Sequence, residues 1–288
     1  MSGLGVIFVN PHSGGGTDVD AMRDAFAGHD VVECEPQDLA DEIRKALAAE
    51  HSPAFVGVAG GDGSIRAAAE VLLDESPDTP LLPVPEGTRN HFARDLGLAE
   101  LDDAVDAAKN GTTRSVDAVA VNDTWFVNNS SIGVYPRLVA HREARETDLP
   151  KGLAAIMAAW HQLRAGRRIA VAIDGEPVVA WAVFVGNNCY GDSLRDLTGR
   201  ERLDEGVLDV RIARADRNFS RLRIFGAVLF GRVEHSPSID RRSCASIELN
   251  SGRIAHVAFD GEVVTMESPL RYDSRRGALN VLVSDAHP

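Results

Sequence analysis

Through the first hundred residues, short apolar runs alternate with amphipathic stretches. Leu4–Val9, Val31–Cys34, Ala54–Ala59 and Leu81–Val84 have the length and composition of buried strands. Between them, Val19–Ala27, Asp38–Glu50, Ile65–Leu73 and the stretch around Asn90–Leu96 predict helices. In Asp38–Glu50, Leu39, Ile43, Ala46 and Leu47 fall on one face at the 3-4 spacing. Strands alternating with helices indicate crossover units and a parallel sheet. After Gly111 the pattern shifts to short β-rich segments: Ser115–Val121, Thr124–Asn129, Arg168–Asp174, Val178–Gly186, Val207–Ile212, Ala245–Leu249 and Ile254–Phe259. Two helical stretches, Gly152–Leu163 and Arg221–Gly231, interrupt them. The chain therefore reads as an α/β domain over residues 1–115 and a mainly antiparallel β domain over 116–277. The strand at 278–284 is expected to return to the first domain.

Composition narrows the function classes. The 288 residues are 44% hydrophobic and 25% charged, ordinary for a globular protein. The formal net charge of −13 argues against a nucleic-acid binder, which needs a basic face to displace counterions. It also limits any membrane contact to a local patch. Lysine occurs only at positions 45, 109 and 151, and the arginine excess reads as compositional bias. Cys34, Cys189 and Cys244 are scattered and odd in number, which fits a reducing cytoplasm and neither a disulfide framework nor a zinc site. The N-terminus reads as a first strand and no apolar run approaches the ~20 residues of a membrane span.

The chemistry is expected at the strand ends, where open α/β sheets bind ligands. Gly60-Gly61-Asp62-Gly63-Ser64 follows a strand and opens a helix. Its glycines let backbone N–H groups approach an anion, and the helix terminus adds positive potential. Asp62 supplies a carboxylate for Mg²⁺, and Ser64 a hydroxyl for phosphate or for a helix cap. Asn10-Pro11-His12-Ser13-Gly14-Gly15-Gly16, at the end of the first strand, reads as a second phosphate-approach loop, and Gly87-Thr88-Arg89-Asn90 follows the fourth. Taken alone, Asn90 is best explained as a helix cap, and His12 as a loop histidine without a role. Neither the P-loop nor the dinucleotide fingerprint is present. Two triplets, Asp174-Gly175-Glu176 and Asp260-Gly261-Glu262, each suit a hairpin tip.

Together, Asn10–Gly14, Gly60–Ser64 and Gly87-Thr88-Arg89-Asn90-His91-Phe92-Ala93-Arg94-Asp95-Leu96-Gly97 resemble the diacylglycerol kinase catalytic family, which is related to sphingosine kinases and NAD kinases. Phe126–Gly133 and Asp260-Gly261-Glu262 extend the resemblance over essentially the whole chain. It implies a nucleotide-binding α/β domain, a β-sandwich-like second domain and an active site between them. It further implies ATP-dependent phosphorylation of a lipid hydroxyl, with a diacylglycerol-like acceptor. Asn10, Pro11, Ser13, Gly14, Gly60, Gly61, Asp62, Gly63, Ser64, Gly87, Thr88 and Asn90 would hold ATP. Asp62 would position Mg²⁺, and Glu262, beside Asp260, would act as general base. Asp174–Glu176 then remains a turn. The family's Asp-Asp-Gly turn, part of a structural Mg²⁺ site, stands here as Asp204-Glu205-Gly206. Val134-Tyr135 replaces an acidic residue common in relatives.

NAD kinase-like phosphorylation of a soluble acceptor and a catalytically silent nucleotide- or lipid-binding homologue are the competing readings. A lipid kinase without a spanning helix meets its substrate at the interface, here the inner face of the membrane. Phe219–Val233 combines Leu222, Phe225, Leu229 and Phe230 with Arg221, Arg223 and Arg232, as an interfacial helix would. Packing of this helix on the second domain's sheet is the stronger expectation. Homodimerisation stays open.

Overall fold

A computed structural model describes residues 3–12, 18–86, 90–133, 166–191, 199–229, 235–260 and 262–284. The expected helix Gly152–Leu163 lies outside these residues. The chain forms two compact units, Met1–Ala118 with Arg275–Pro288, and Val119–Ser274.

The first unit contains β1 (Val6–Val9), α1 (Val19–Ala25), β2 (Asp30–Glu33), α2 (Leu39–Leu47), β3 (Val56–Gly60), α3 (Asp62–Glu75), β4 (Leu81–Pro85), α4 (His91–Asp95) and α5 (Leu101–Asn110). The strand β5 (Thr112–Val121) leads out of it, and the closing strand β15 (Leu270–Val283) leads back. The sheet order is β2-β1-β3-β4-β15, parallel throughout. Every residue of β1 and β3 is buried, as expected for strands covered on both faces. Above them α3 turns Ile65, Ala68, Ala69, Val71 and Leu72 inward. The helix α5 had no expectation in the sequence. Its buried face is Ala104, Ala107 and Ala108, too small to register as an apolar stripe.

In the second unit are β6 (Thr124–Phe126), β7 (Asn129–Gly133), β8 (Ile169–Ile173), β9 (Glu176–Asn187), β10 (Leu208–Arg214), α6 (Ser220–Leu229), β11 (Ile239–Cys244), β12 (Ser246–Asn250), β13 (Ile254–Phe259) and β14 (Glu262–Glu267). Pairing is antiparallel along β14-β13-β7-β9-β8-β12, and β12 pairs with Leu270–Asp273 of β15. A branch runs from β9 through β10 to β11. Inward side chains from alternate positions form one core, in which Phe126 stacks on Phe259 with ring centroids 5.8 Å apart. The strands β11 and β14 went unforeseen because their exposed polar residues hide the period-2 signal.

Candidate active site

Parallel register decides which loops meet in the first unit. Phe8 pairs with Val58 and Val9 with Ala59, while Ala59 pairs with Val84 and Gly60 with Pro85. The chain therefore leaves β1, β3 and β4 at one level, with neighbouring strands about 4.8 Å apart. Asn10, Gly60–Ser64 and Glu86 all stem from that edge. Ser13, Gly14, Gly87 and Thr88 lie outside the described residues.

The loop after β3 has the form of an anion seat. Gly61 is the N-cap of the 14-residue helix α3, and no side chain caps it. A Cβ built at Gly61 would meet no heavy atom within 4 Å, and its φ of −81° suits any residue. At Gly60, by contrast, a Cβ would meet Ser64 Cβ and Oγ at 3.0 Å. A helix N-terminus facing open space, with no side-chain oxygen on its amides, favours a negative group.

The helix cap expected of Asn90 is supplied by Asp62. Asn90 occupies the N-cap position of α4 without capping it; its Nδ2 donates instead to Gly60 O at 2.8 Å. The cap comes from Asp62, whose carboxylate accepts from the N–H groups of His91 and Phe92, each at 3.3 Å. These bonds tie the β3 loop to the β4 loop. On the same edge, Glu86 Oε2 and Asn90 Oδ1 are buried without hydrogen-bond partners among the described residues. Orphaned acceptors of this kind call for a donor or a hard cation. Glu86 was not singled out in the sequence, because a glutamate after a strand carries no distinctive spacing. Asn10 Oδ1 accepts from His12 N–H at 2.9 Å, and His12 Nε2 lies 3.5 Å from Glu35 Oε1 at the surface.

In the second unit, Asp260 turns the chain from β13 into β14. Phe259 and Glu262 pair across it, and Asp260 has a φ of +45°. Its Oδ1 accepts from the N–H groups of Asn128 (3.0 Å) and Asn129 (2.9 Å), and its Oδ2 from that of Val127 (3.1 Å). Asp260 thus positions the segment entering β7. Buried Arg200 grips the same segment, donating to Val127 O and Asn128 Oδ1, both at 2.7 Å. Glu262 opens β14 with its side chain exposed.

The turn expected to hold structural Mg²⁺ is satisfied from within the protein. Asp204 Oδ1 pairs with Arg202 at 3.2 Å, and Glu205 Oε2 accepts from Cys189 N–H at 3.3 Å. Arginines cover nearby carbonyls: Arg211 donates to Tyr190 O at 2.6 Å and to Gly191 O at 3.2 Å. Both Arg211 and Arg241 bond the buried Asp209 carboxylate. Among the described residues no group of three or more His, Cys, Asp or Glu side chains is arranged to hold a metal. In this arrangement guanidinium groups and committed carboxylates do not offer a seat to a resident divalent cation, and no step is placed on one at Asp204 or Glu205. The edge with Asp62, Glu86 and Asn90 does fit one, since all its donors are hard oxygens.

Comparison with known proteins identifies the family. Residues 5–121 match the diacylglycerol kinase catalytic domain, and residues 137–283 match the YegS C-terminal NAD kinase beta sandwich-like domain. A diacylglycerol kinase of Mycobacterium tuberculosis (strain CDC 1551 / Oshkosh) is 32% identical over 244 residues, covering 77% of each chain. A Pseudomonas fluorescens protein named "Probable lipid kinase YegS-like" is 27% identical over 281 residues, covering 94% of this chain and 90% of its own. In fold, a solved structure of a diacylglycerol kinase from Bacillus anthracis str. Sterne superposes with a TM-score of 0.67 at 20% identity, covering 99% of each chain. From the paired domain matches and the mycobacterial relative, the chain belongs to the diacylglycerol kinase catalytic family and is a kinase.

Proposed function

We propose that this chain transfers the terminal phosphoryl group of ATP to the hydroxyl of a lipid, with diacylglycerol as the type of acceptor. The observation that carries this reading is the level exit of three strands onto one edge, beside an α3 N-terminus that no side chain caps. Backbone amides at Gly61–Gly63 would receive the phosphates, and Asn10, Ser13, Gly14 and Thr88 would complete the pocket. Asp62 holds the β4 loop in register through α4, so its first task is positioning. Glu86 Oε2 and Asn90 Oδ1 would accept from nucleotide hydroxyl or amino groups, or from the hydration shell of a metal ion. Mg²⁺ bound with the triphosphate would neutralise charge on its oxygens. Glu262 would take the alcohol proton, a role open to a carboxylate within hydrogen-bond reach of the acceptor.

Radiolabelled ATP with a panel of lipids, and with NAD as a soluble acceptor, tests the reading by product chromatography. Labelled phosphatidate is the expected product. Label on NAD alone, or on nothing, would replace the lipid reading with the NAD kinase-like or the silent one. Gly61→Val tests the phosphate seat separately. Its backbone and surroundings tolerate a side chain, so the fold should survive while ATP affinity falls at least tenfold. Unchanged affinity would remove the β3 loop from the pocket.

A further inference from the structure

The segment leading into α6 differs from the rest of this acidic molecule. Phe219 has a φ of +56°, a conformation rarely adopted by a bulky residue, and its side chain is 76% exposed. One turn on, Leu222 is 58% exposed. Strained backbone that presents an aromatic ring to water is not explained by core packing. Behind these two side chains α6 is anchored: Ile224 is buried with Trp181 and Ala215, and Trp181 Nε1 donates to Ser220 Oγ at 3.1 Å. The apolar side chains of this helix therefore divide, Ile224 and Ala227 inward and Leu222 outward.

Arginines surround the exposed pair. Arg221 lies 4.1 Å over the Trp181 ring centroid and Arg168 lies 5.3 Å from it. A cavity of about 430 Å³ opens there, lined by Arg168, Trp181, Arg217, Phe219, Arg221 and Leu222. Arg217 is neutralised by Asp240 at 3.0 Å. Among the described residues, no carboxylate pairs with Arg168, Arg221 or Arg223, and Arg221 Nε is buried with no acceptor. Three guanidinium groups without a carboxylate partner, of which Arg221 also donates to Gly166 O at 3.2 Å, stand out around two protruding apolar side chains on a chain of net charge −13.

We infer that this surface of the second unit docks on an anionic lipid bilayer: Phe219 and Leu222 enter the acyl boundary while Arg168, Arg221 and Arg223 meet lipid phosphates. The inference rests on the lipid-kinase reading and deepens it by naming where the protein meets its substrate's membrane. The occupant follows from the chemistry. A protein groove would bury Phe219 and Leu222 but has no general need for three guanidinium groups. An anionic leaflet supplies an apolar interior and a dense plane of phosphates at the matching depth. Arginine suits that plane because its fork bonds two phosphate oxygens. Aromatic rings favour the same boundary.

The test is cosedimentation of the full chain with vesicles of phosphatidylcholine alone and with added phosphatidylglycerol. Wild type should bind the anionic vesicles, and less so as salt rises. Phe219→Ser with Leu222→Ser should lower partitioning at least tenfold. Arg168→Gln with Arg223→Gln should lower it roughly fivefold for each charge removed and abolish the phosphatidylglycerol preference. Leu4→Ser, at an equally exposed apolar position of the first unit, should bind like wild type. Circular dichroism confirms that each variant is folded. Patch variants that bind like wild type, or a Leu4→Ser loss as large as theirs, would overturn the inference. Transfer to a short-chain, monomeric diacylglycerol is measured alongside and should be unaffected by the patch variants. Wild type that binds anionic vesicles but phosphorylates no lipid would keep this surface and overturn the lipid-kinase reading. Wild type that phosphorylates lipid but binds neither vesicle would do the reverse.

Discussion

The second unit contains the triplet Asp-Gly-Glu twice, each between two antiparallel strands. In each, the residue before the aspartate pairs with the glutamate, Ile173 with Glu176 and Phe259 with Glu262. In each the aspartate has positive φ, +50° at Asp174 and +45° at Asp260. What differs is what the aspartate reaches. Asp174 accepts one N–H, that of Glu248 at 2.9 Å, and its hairpin lies at the surface. Asp260 gathers three N–H groups from the segment 127–129, which Arg200 holds from the other side. An identical local signal thus serves as a plain turn in one place and as a junction in the other. Partners over 130 residues away make the difference, and a triplet read alone cannot contain them.

This contrast can be broken at its strongest point by paired substitution of the two glutamates. Glu262→Gln should lower turnover by about 10²-fold or more if it accepts the alcohol proton. Glu176→Gln, whose carboxylate lies 3.7 Å from Arg242 at the surface, should leave turnover unchanged. Equal effects in steady-state kinetics would erase the distinction. The aspartates come next. Asp260→Ala strands three backbone donors and should cost roughly 3 kcal/mol in urea unfolding, against about 1 kcal/mol for Asp174→Ala. Comparable losses would mean that the junction is not structural. A smaller effect is due at Gly175, where φ is +85° and a Cβ would meet nothing within 4 Å. Gly175→Ala should cost about 1 kcal/mol through backbone strain alone. The smallest concerns the third acidic turn, Asp204-Glu205-Gly206. Adding a chelator to the nucleotide-free protein should not move the thermal midpoint, because arginines and the protein's own amides already satisfy that region. A clear drop would restore a structural metal there.

Much of the first unit was legible because its signals are local. β1, β3 and β4 are continuous apolar runs, and glycine and asparagine punctuate their ends, so the edge bearing the loops could be anticipated. Its wiring could not. That Asp62 caps a helix 29 residues later, while the asparagine at the cap position bonds Gly60, depends on sheet register. The second unit was less transparent. The polar β11 and β14 are held by backbone pairing with their neighbours, without a regular apolar alternation of their own. Its arginines were the largest omission. They read as composition, yet Arg200 and Arg211 are buried and bond the carbonyls of the 187–191 and 127–128 segments. Arginine abundance conceals such roles, since nothing in the order of residues separates a solvated guanidinium from a buried one.

The return of β15 to the first unit has a consequence for how the molecule is made. On the ribosome, β1 to β4 emerge early, but the strand that pairs Val281 with Leu81 follows only after all of Val119–Ser274 has been translated. At ~5–20 residues per second, that leaves one side of β4 uncovered for seconds to tens of seconds. An apolar strand waiting that long is a template for illicit pairing with another nascent chain. Within β4, Pro83 and Pro85 have no N–H to offer such a stranger. The same two prolines that interrupt the strand's donors in the finished sheet would guard the unfinished one during synthesis.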